Sequence, residues 1–218
     1  VAVLLVSSTP SVFGQAVPRV RTPDARFEGL KGYPFAPHYV EVNGLRMHYV
    51  DEGRATRGTF LLLHGEPSWS YLYRNVIPVL TRAGYRAIAP DMIGFGRSDK
   101  VTDERWYTLE AHVQQLRGFI EALNLRDVTL VVQDWGGPYG LINATDMPDR
   151  FVRLFILNTW LHHEGYQYTQ ALRDWNARSQ AVDFSKINGG AWAARSPDPV
   201  ETLSAAYSAP FHSPESQV

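Results

Sequence analysis

The sequence predicts an α/β fold, in which a mostly parallel sheet carries helices on both faces and a helical cap follows. Short apolar runs alternate with helical patterns between residues 59 and 157, an order typical of a parallel sheet covered on both faces. After residue 158 the character changes, because residues 160–218 are rich in Trp, Tyr, His, Ala and Pro without a further apolar strand run. We therefore expect a core at residues 21–158 and an incomplete helical cap at residues 159–218.

The composition is that of an ordinary folded protein, and it excludes several kinds of chemistry. The 218 residues are 44% hydrophobic and 20% charged, which is enough for one large domain. A net charge of −1 without a basic run argues against a nucleic-acid partner. The absence of cysteine excludes disulfides, thiolate catalysis and cysteine-bound metals.

Residues 1–20 predict the remnant of a signal peptide. Residues 1–6 are apolar, and Gly14 and Ala16 supply the small residues that precede a cleavage point. A run this short does not span a bilayer, which takes ~20 apolar residues. Because the sequence does not begin with Met, we expect its true N-terminus to be absent. From the leader-like residues we expect the protein to be exported or periplasmic. The alternatives are a buried first strand and a cytoplasmic location.

The first half of the chain begins its regular structure with a hairpin. Residues 39–42 and 45–50 alternate between apolar and polar around Asn43-Gly44, a pair that suits a type I′ turn. Residues 59–63 are almost wholly apolar, as in a strand buried on both faces. The other predicted segments of this half are an irregular arm at 21–37, a helix at 71–83 and a second buried strand at 85–89.

The second half contains the clearest helix, at residues 107–125. Its apolar residues recur at helical spacing along one face, at Leu109, Val113, Leu116, Ile120 and Leu123. Further segments predict strands at 128–132 and 151–157 and helices at 138–146, 168–179 and 199–207. Parallel sheets keep their sites at the carboxyl ends of strands. The predicted strands end at His64-Gly65-Glu66, Asp91, Asp134 and Asn158.

Residues 129–137 have the layout of a nucleophile elbow. A β-branched apolar run ends at Asp134, and Trp135, two glycines and helix-forming residues follow; most such elbows carry serine at the position of Asp134. Gly136 and Gly137 let the chain turn tightly and let the helix begin close to the strand. Amides at the helix start face any negative charge held there. The alternative is a strand-ending turn with an ordinary helix cap.

Taken in order, these motifs resemble the haloalkane dehalogenases of the α/β-hydrolase fold, from about Arg21 to Val218. The matching segments are Arg-Thr-Pro-Asp at 21–24, His-Gly-Glu-Pro-Ser-Trp-Ser-Tyr-Leu-Tyr-Arg at 64–74, Asp-Met-Ile-Gly-Phe-Gly-Arg-Ser-Asp-Lys at 91–100, residues 132–137, and Ala-Pro-Phe at 209–211. Epoxide hydrolases share His-Gly-x-Pro and Asp-Trp-Gly, so the ordered set carries the likeness. Glu66 and Gln133 resemble the subfamily that holds the halide with two tryptophans.

The resemblance implies that Asp134 is the nucleophile. A carboxylate with an ordinary pKa of ~3.9 is ionised at neutral pH, so it needs no base to displace halide and form an ester. A serine would form an ether, which water does not readily cleave. Water activated by a histidine hydrolyses the ester at its carbonyl, and N–H groups stabilise the oxyanion. The resemblance assigns those groups to the backbones of Glu66 and Trp135.

Indole N–H groups suit the leaving halide, because they donate hydrogen bonds without being charged. Trp135 matches the family motif directly. For the second indole, Trp192 fits best because it precedes Ala-Pro-Phe at 209–211, and Trp175 is the alternative. Either cap tryptophan could instead serve ordinary packing. The expected partners are a small halogenated alkane, water and halide, with no cofactor, metal, nucleic acid or membrane, and a monomer at full length.

None of the histidines in this sequence matches the family's catalytic base. His64 reads as a structural residue at a strand end. Adjacent His162 and His163 point apart on regular structure and have no acid at ligand spacing, which argues against a metal. Like them, His212 lies in the cap.

The fold orders its triad as nucleophile, acid and histidine, and Asn158 stands where one subfamily keeps its acid. We therefore expect the acid and the histidine beyond Val218, together with the last strands of the sheet. The chain as given would then present an apolar sheet edge that favours aggregation. It would be alkylated at Asp134 at most once, without turnover.

Two other functions compete with this interpretation. An epoxide hydrolase would use the same Asp134 chemistry and would need cap tyrosines to protonate the ring oxygen, for which Tyr166, Tyr168 and Tyr207 are available. Glu66 and a second tryptophan favour the halide. A non-catalytic binding protein that kept the fold is the alternative of another class, because fold alone does not establish activity.

Overall fold

The structure, a computed structural model, describes residues 17–160, 167–179 and 198–217, without the side chains of residues 175, 176 and 179. The strands are β1 (Arg19–Val20), β2 (His38–Val42), β3 (Leu45–Glu52), β4 (Thr59–Leu63), β5 (Arg86–Pro90), β6 (Lys100–Val101), β7 (Val128–Gln133) and β8 (Phe151–Leu157). The α-helices are α1 (Ile77–Arg82), α2 (Leu109–Ala122), α3 (Gly136–Asp146), α4 (Gln170–Ser179) and α5 (Val200–Ser208). None of these helices is both long and apolar enough to cross a membrane.

Six of the strands form one sheet in the order β2-β3-β5-β4-β7-β8. The pairs from β5 to β8 are parallel, and β3 pairs antiparallel with β2 and β5. The predicted mostly parallel sheet is confirmed. The hairpin is confirmed too, because Asn43 (φ 50°) and Gly44 (φ 77°) both adopt the left-handed conformation that a type I′ turn requires.

The central strands β4 and β7 are buried along almost their whole length. Leu61, Leu62 and Leu63 are fully buried, as are Val128 and Val132. A strand between two parallel neighbours, with helices on both faces, has no exposed side. The near-continuous apolar runs therefore indicated the right positions for these strands.

Helix α2 is shorter than the predicted 107–125, and both of its ends have a local cause. The Thr108 side chain accepts a hydrogen bond from the Ala111 N–H (3.1 Å), so Thr108 is the N-cap. Asn124 has φ 45°, and a residue in this left-handed region ends a helix.

The predicted helix at 71–83 is wrong over its first half. The structure has a 3₁₀ turn at Ser70–Tyr73, and the α-helix covers only Ile77–Arg82. Pro78 lacks an N–H and is tolerated only in the first turn of a helix, so an α-helix containing it begins at about this point. The preceding turn is held by tertiary hydrogen bonds, such as the Tyr73 hydroxyl donating to the Leu63 carbonyl (2.7 Å).

The described core begins before the predicted boundary at residue 21, and its last strand ends at Leu157, within the predicted core. Residues 17–20 fall within the predicted leader, yet β1 pairs with β6 and Val17 packs against the core. The leader prediction for residues 1–16 lies outside the described residues. At the other end, β8 is an edge strand of the described sheet, and five of its apolar side chains are 48–55% exposed: Val152, Leu154, Phe155, Ile156 and Leu157.

Candidate active site

Asp134 lies in the turn between β7 and α3 and has a strained backbone. Its φ is 51°, which is uncommon for a residue with a side chain and costs on the order of 1–3 kcal/mol. Three hydrogen bonds hold the turn: the Asp134 N–H donates to the Asn158 carbonyl (3.2 Å), and the Asp134 carbonyl accepts from the Gly137 N–H (2.9 Å) and Thr159 Oγ1 (2.5 Å). The predicted strand–turn–helix layout is present, and the strain is borne by the carboxylate residue itself.

The two glycines after Trp135 serve close packing. Neither has a positive φ. A Cβ on Gly136 would lie 2.7 Å from the Leu63 carbonyl oxygen, and one on Gly137 would lie 1.8 Å from Thr159 Oγ1. Glycine is therefore needed here so that the start of α3 can approach the ends of β4 and β8, as the sequence predicted for the helix start.

The loop after β4 lies directly against the Asp134 carboxylate. The Glu66 N–H donates to Asp134 Oδ1 at 2.9 Å. A Cβ on Gly65 would lie 2.3 Å from both Cβ and Oδ1 of Asp134. The predicted donor from Glu66 is thus within hydrogen-bonding distance of the group that it would serve. Among the described residues, the Trp135 N–H makes no hydrogen bond to this carboxylate, so its role stays a prediction.

The surroundings of the Glu66 carboxyl group change its pKa. The residue is exposed overall, but its carboxyl group lies against protein atoms. Loss of solvation, followed by the negative charge of Asp134, raises its pKa above the ordinary value. Two neighbouring carboxyl groups disfavour being ionised together.

A cavity of about 350 Å³ lies beside this turn. Its walls present more apolar than polar surface, much of it aromatic, and include Glu66, Phe95, Tyr107, His112, Trp135, Tyr139 and Phe211. Such a lining is typical of sites for small, largely apolar molecules. The cavity joins the Asp-Trp turn to the Ala-Pro-Phe segment, which are far apart in the sequence.

A family model described as alpha/beta hydrolase fold matches residues 58–208. A haloalkane dehalogenase from Psychrobacter cryohalolentis is 43% identical over 197 residues, which are 88% of this chain and 65% of that protein. The solved tetrameric structure of haloalkane dehalogenase DpaA from Paraglaciecola agarilytica NO2 is 42% identical with a TM-score of 0.83, covering 92% of this chain and 69% of its own. The chain belongs to the haloalkane dehalogenase family.

Two further similar proteins show how much of its relatives' length the chain covers and that it also resembles an epoxide hydrolase. Haloalkane dehalogenase 1 of Mycobacterium tuberculosis is 56% identical over 147 residues, which are 65% of this chain and 49% of that protein. The chain therefore spans about two thirds or less of the length of these curated relatives. An epoxide hydrolase mutant from Vigna radiata is 31% identical with a TM-score of 0.56, covering 65% of this chain and 44% of its own.

Trp135, which the sequence analysis predicts as a halide-binding residue, is half-buried and contacts two aromatic rings. It stacks on Tyr139 (5.9 Å between centroids, 21°) and meets the edge of Trp160 (5.2 Å, 71°). The sequence analysis did not single out Tyr139 or Trp160. The signals were present, since Tyr139 is one helical turn beyond Trp135, and Trp160 comes shortly after the end of β8 at Leu157. Trp192 and the side chain of Trp175 lie outside the described residues.

His64 is a structural residue, as predicted. The Met92 N–H donates to His64 Nε2 (3.0 Å), so the ring proton is on Nδ1, which donates to the Gly65 carbonyl (2.9 Å). Burial lowers the pKa of His64 and keeps the ring neutral. This residue fixes the loop that faces Asp134.

Asp91 also has a structural role, although it too follows a strand. Its carboxylate accepts hydrogen bonds from the N–H groups of Ser70 and Arg97 (2.8 Å each) and contacts His48 Nδ1 (2.7 Å). Burial alone would raise the pKa of Asp91, but the interactions with His48, then with His64 and the Arg97 N–H, together outweigh it and lower the pKa to about 2. Asn158 contributes its backbone carbonyl to the Asp134 turn.

The remaining predicted candidates are tyrosines and histidines after residue 160. Tyr207 is buried against Tyr71 (5.6 Å between ring centroids), and neither it nor Tyr168 lines the cavity. Tyr166, His162 and His163 lie outside the described residues. Within the part of the chain that the structure describes, no group of three or more His, Asp or Glu side chains is placed to hold a metal ion.

Proposed function

We propose that the protein is a hydrolytic haloalkane dehalogenase in which Asp134 is the nucleophile. The observation that carries this proposal is the strained turn at Asp134, whose carboxylate meets the Glu66 N–H at 2.9 Å beside an aromatic cavity. Family membership supports the same chemistry. A carboxylate held by a rigid turn is already oriented for attack on a bound carbon.

In the first step, an Asp134 oxygen attacks the carbon that bears the halogen. The new C–O bond forms as the carbon–halogen bond breaks, and the bonding electrons leave with the halide. The Trp135 indole N–H donates to the departing halide, and Trp192, or alternatively Trp175, supplies a second N–H.

In the second step, water attacks the carbonyl carbon of the Asp134 ester. The N–H groups of Glu66 and Trp135 stabilise the oxyanion. When this intermediate collapses, the alcohol leaves and the carboxylate is restored. His64 cannot serve as the base, because both of its ring nitrogens bond to backbone groups. The proposal assigns the base to a histidine outside the described residues.

The cavity supports a small halogenated alkane as the substrate. Its volume of about 350 Å³ is near the lower end of the range for ligand sites, and its wall surface is more apolar than polar. We also propose that the full-length protein acts as a monomer and is exported, as the sequence analysis expects. The similar DpaA structure is a tetramer, so size-exclusion chromatography with light scattering tests the first of these.

The similarity to an epoxide hydrolase makes that activity the second candidate. Its chemistry would use Asp134 in the same way but would need a tyrosine that protonates the ring oxygen. Of the three tyrosines considered, Tyr168 and Tyr207 do not line the cavity, so neither of them supports this candidate, although Tyr107 and Tyr139 do line it.

The test uses the protein made from its complete gene. Bromide release from 1,2-dibromoethane is measured beside diol formation from styrene oxide, in the wild type, in Asp134→Asn and in the exposed control Asp149→Asn. We expect bromide release that disappears only in Asp134→Asn. Diol without bromide would favour the epoxide hydrolase, and neither product from a folded protein would favour a binding role.

A further inference from the structure

His112 is a buried titratable residue that the proposed reaction does not use. It lies in α2 and is 4% exposed. Its Nδ1 atom is buried and has no hydrogen-bond partner among the described residues. Because a buried polar atom without a partner is unfavourable, the imidazole must contribute something other than a hydrogen bond through this nitrogen.

His112 provides a flat ring face on which another aromatic ring stacks. His112 stacks on Tyr139 with ring centroids 4.7 Å apart and planes 23° apart. Tyr139 in turn stacks on Trp135 (5.9 Å, 21°). Three nearly parallel rings therefore connect α2 to the turn that carries Asp134.

Two more aromatic residues contact His112, which also lines the cavity. Trp106 meets its ring edge-on (5.4 Å, 81°), and Tyr107 lies at 5.9 Å. Tyr139 stacks on both His112 and Trp135. All three rings also line the cavity, so their contacts with one another, and not a closed interior, set how each ring is tilted at the cavity wall.

From this geometry we propose that His112 is a positioning residue, which holds the indole of Trp135 through Tyr139 in the orientation that halide binding requires. The inference rests on the proposed function. An indole has a single N–H, so the tilt of its ring sets the direction of its only hydrogen bond. Trp135 itself is half-buried and depends on Tyr139 and Trp160 for that tilt.

The charge state of His112 suits this role. Burial, with a smaller effect from His64, lowers the pKa of His112 to about 4, so the ring is neutral at neutral pH. A neutral imidazole stacks on Tyr139 without placing a charge beside the apolar cavity. Phenylalanine is the closest uncharged flat substitute, and leucine has similar bulk without a flat face.

The experiment compares His112→Leu with His112→Phe in the protein made from its complete gene. Bromide affinity is measured from the quenching of tryptophan fluorescence, and kcat and KM from bromide release with 1,2-dibromoethane. We expect His112→Leu to weaken bromide affinity and lower kcat/KM about tenfold, and His112→Phe to stay within about twofold of the wild type.

A double-mutant cycle with Trp135→Phe separates positioning from general damage. If His112 acts through Trp135, adding His112→Leu to Trp135→Phe should lower kcat/KM no further. A full additional loss in the double variant, or an unchanged bromide affinity in His112→Leu, would overturn the proposal. If His112→Leu does not fold, Tyr139→Leu removes the middle ring and must show the same dependence on Trp135.

The failures of the two proposals are distinguishable. A wild-type protein that neither binds bromide nor releases it refutes the proposed function, and the role of His112 with it. An active wild type whose His112→Leu variant is equally active refutes only the role of His112.

Discussion

Replacing Gly65 with alanine tests whether the position of the Asp134 carboxylate limits the reaction. The new Cβ would lie 2.3 Å from both Cβ and Oδ1 of Asp134, whereas non-bonded heavy atoms need about 3.5 Å. The two groups must therefore separate by about 1 Å. Rotation of the carboxylate does not relieve the contact, because the Asp134 Cβ is fixed by the strained backbone.

A displacement of this size should slow the reaction. A misplacement of about 1 Å in a reacting group can lower a rate about 100-fold, and the move would also break the Glu66 N–H bond to Oδ1. We therefore expect Gly65→Ala to lower the rate of bromide release at least about 100-fold. Overpacking should lower the free energy of unfolding by roughly 1–3 kcal/mol.

The assay measures single-turnover bromide release from 1,2-dibromoethane at 25 °C, with urea unfolding of each variant. Gly118→Ala is the matched control, since its Cβ would lie 2.4 Å from Val42 Cγ1, a methyl group in the hairpin. We expect that control to keep its activity within about twofold. A folded Gly65→Ala protein that releases bromide within about threefold of the wild-type rate would refute the reasoning.

Three further predictions address the ester, a helix cap and acid stability. Single turnover in ¹⁸O-labelled water should place the label in the Asp134 carboxylate, detected by peptide mass spectrometry; label that appears only in the alcohol would mean that water attacks the alkyl carbon. Thr108→Ala should lower the free energy of unfolding by about 1 kcal/mol through loss of the α2 cap. Urea unfolding measures this effect, with Thr102→Ala as the control. An equal effect of both variants would contradict the cap assignment. Because the folded pKa of His112 is about 4 against an ordinary 6.5, the unfolded chain binds more protons between these values. The free energy of unfolding should therefore fall as the pH drops from 6.5 to 4, by up to roughly 3 kcal/mol from this residue. Urea unfolding of His112→Phe over the same pH range should show a shallower fall in this free energy. An equally steep fall would contradict the prediction.

The local elements were predictable because their causes are local. Asn43-Gly44 determines the hairpin, since few other pairs adopt two left-handed conformations in succession. The buried strands follow from apolar runs. The turn at Asp134 was recognisable because a β-branched run, a carboxylate and two glycines stand side by side in the sequence.

Prediction failed where distant groups decide the conformation. Helical patterning extended the helix at 71–83 too far, because the preceding Ser70–Tyr73 turn is held by strand ends and by the Asp91 carboxylate. These contacts have no signature within a few residues of the chain.

The candidate site divides in the same way. The sequence by itself predicted Asp134 as the reactive carboxylate, with Glu66 and Trp135 beside it and His64 as a structural residue, because each belongs to a short motif with its own chemistry. Only the tertiary structure decided how Trp135 is held. His112 belongs to α2 and Tyr139 to α3, and their rings meet only because these helices pack side by side. Such contacts depend on the rotation and spacing of whole helices, which side-chain packing determines and no local pattern records.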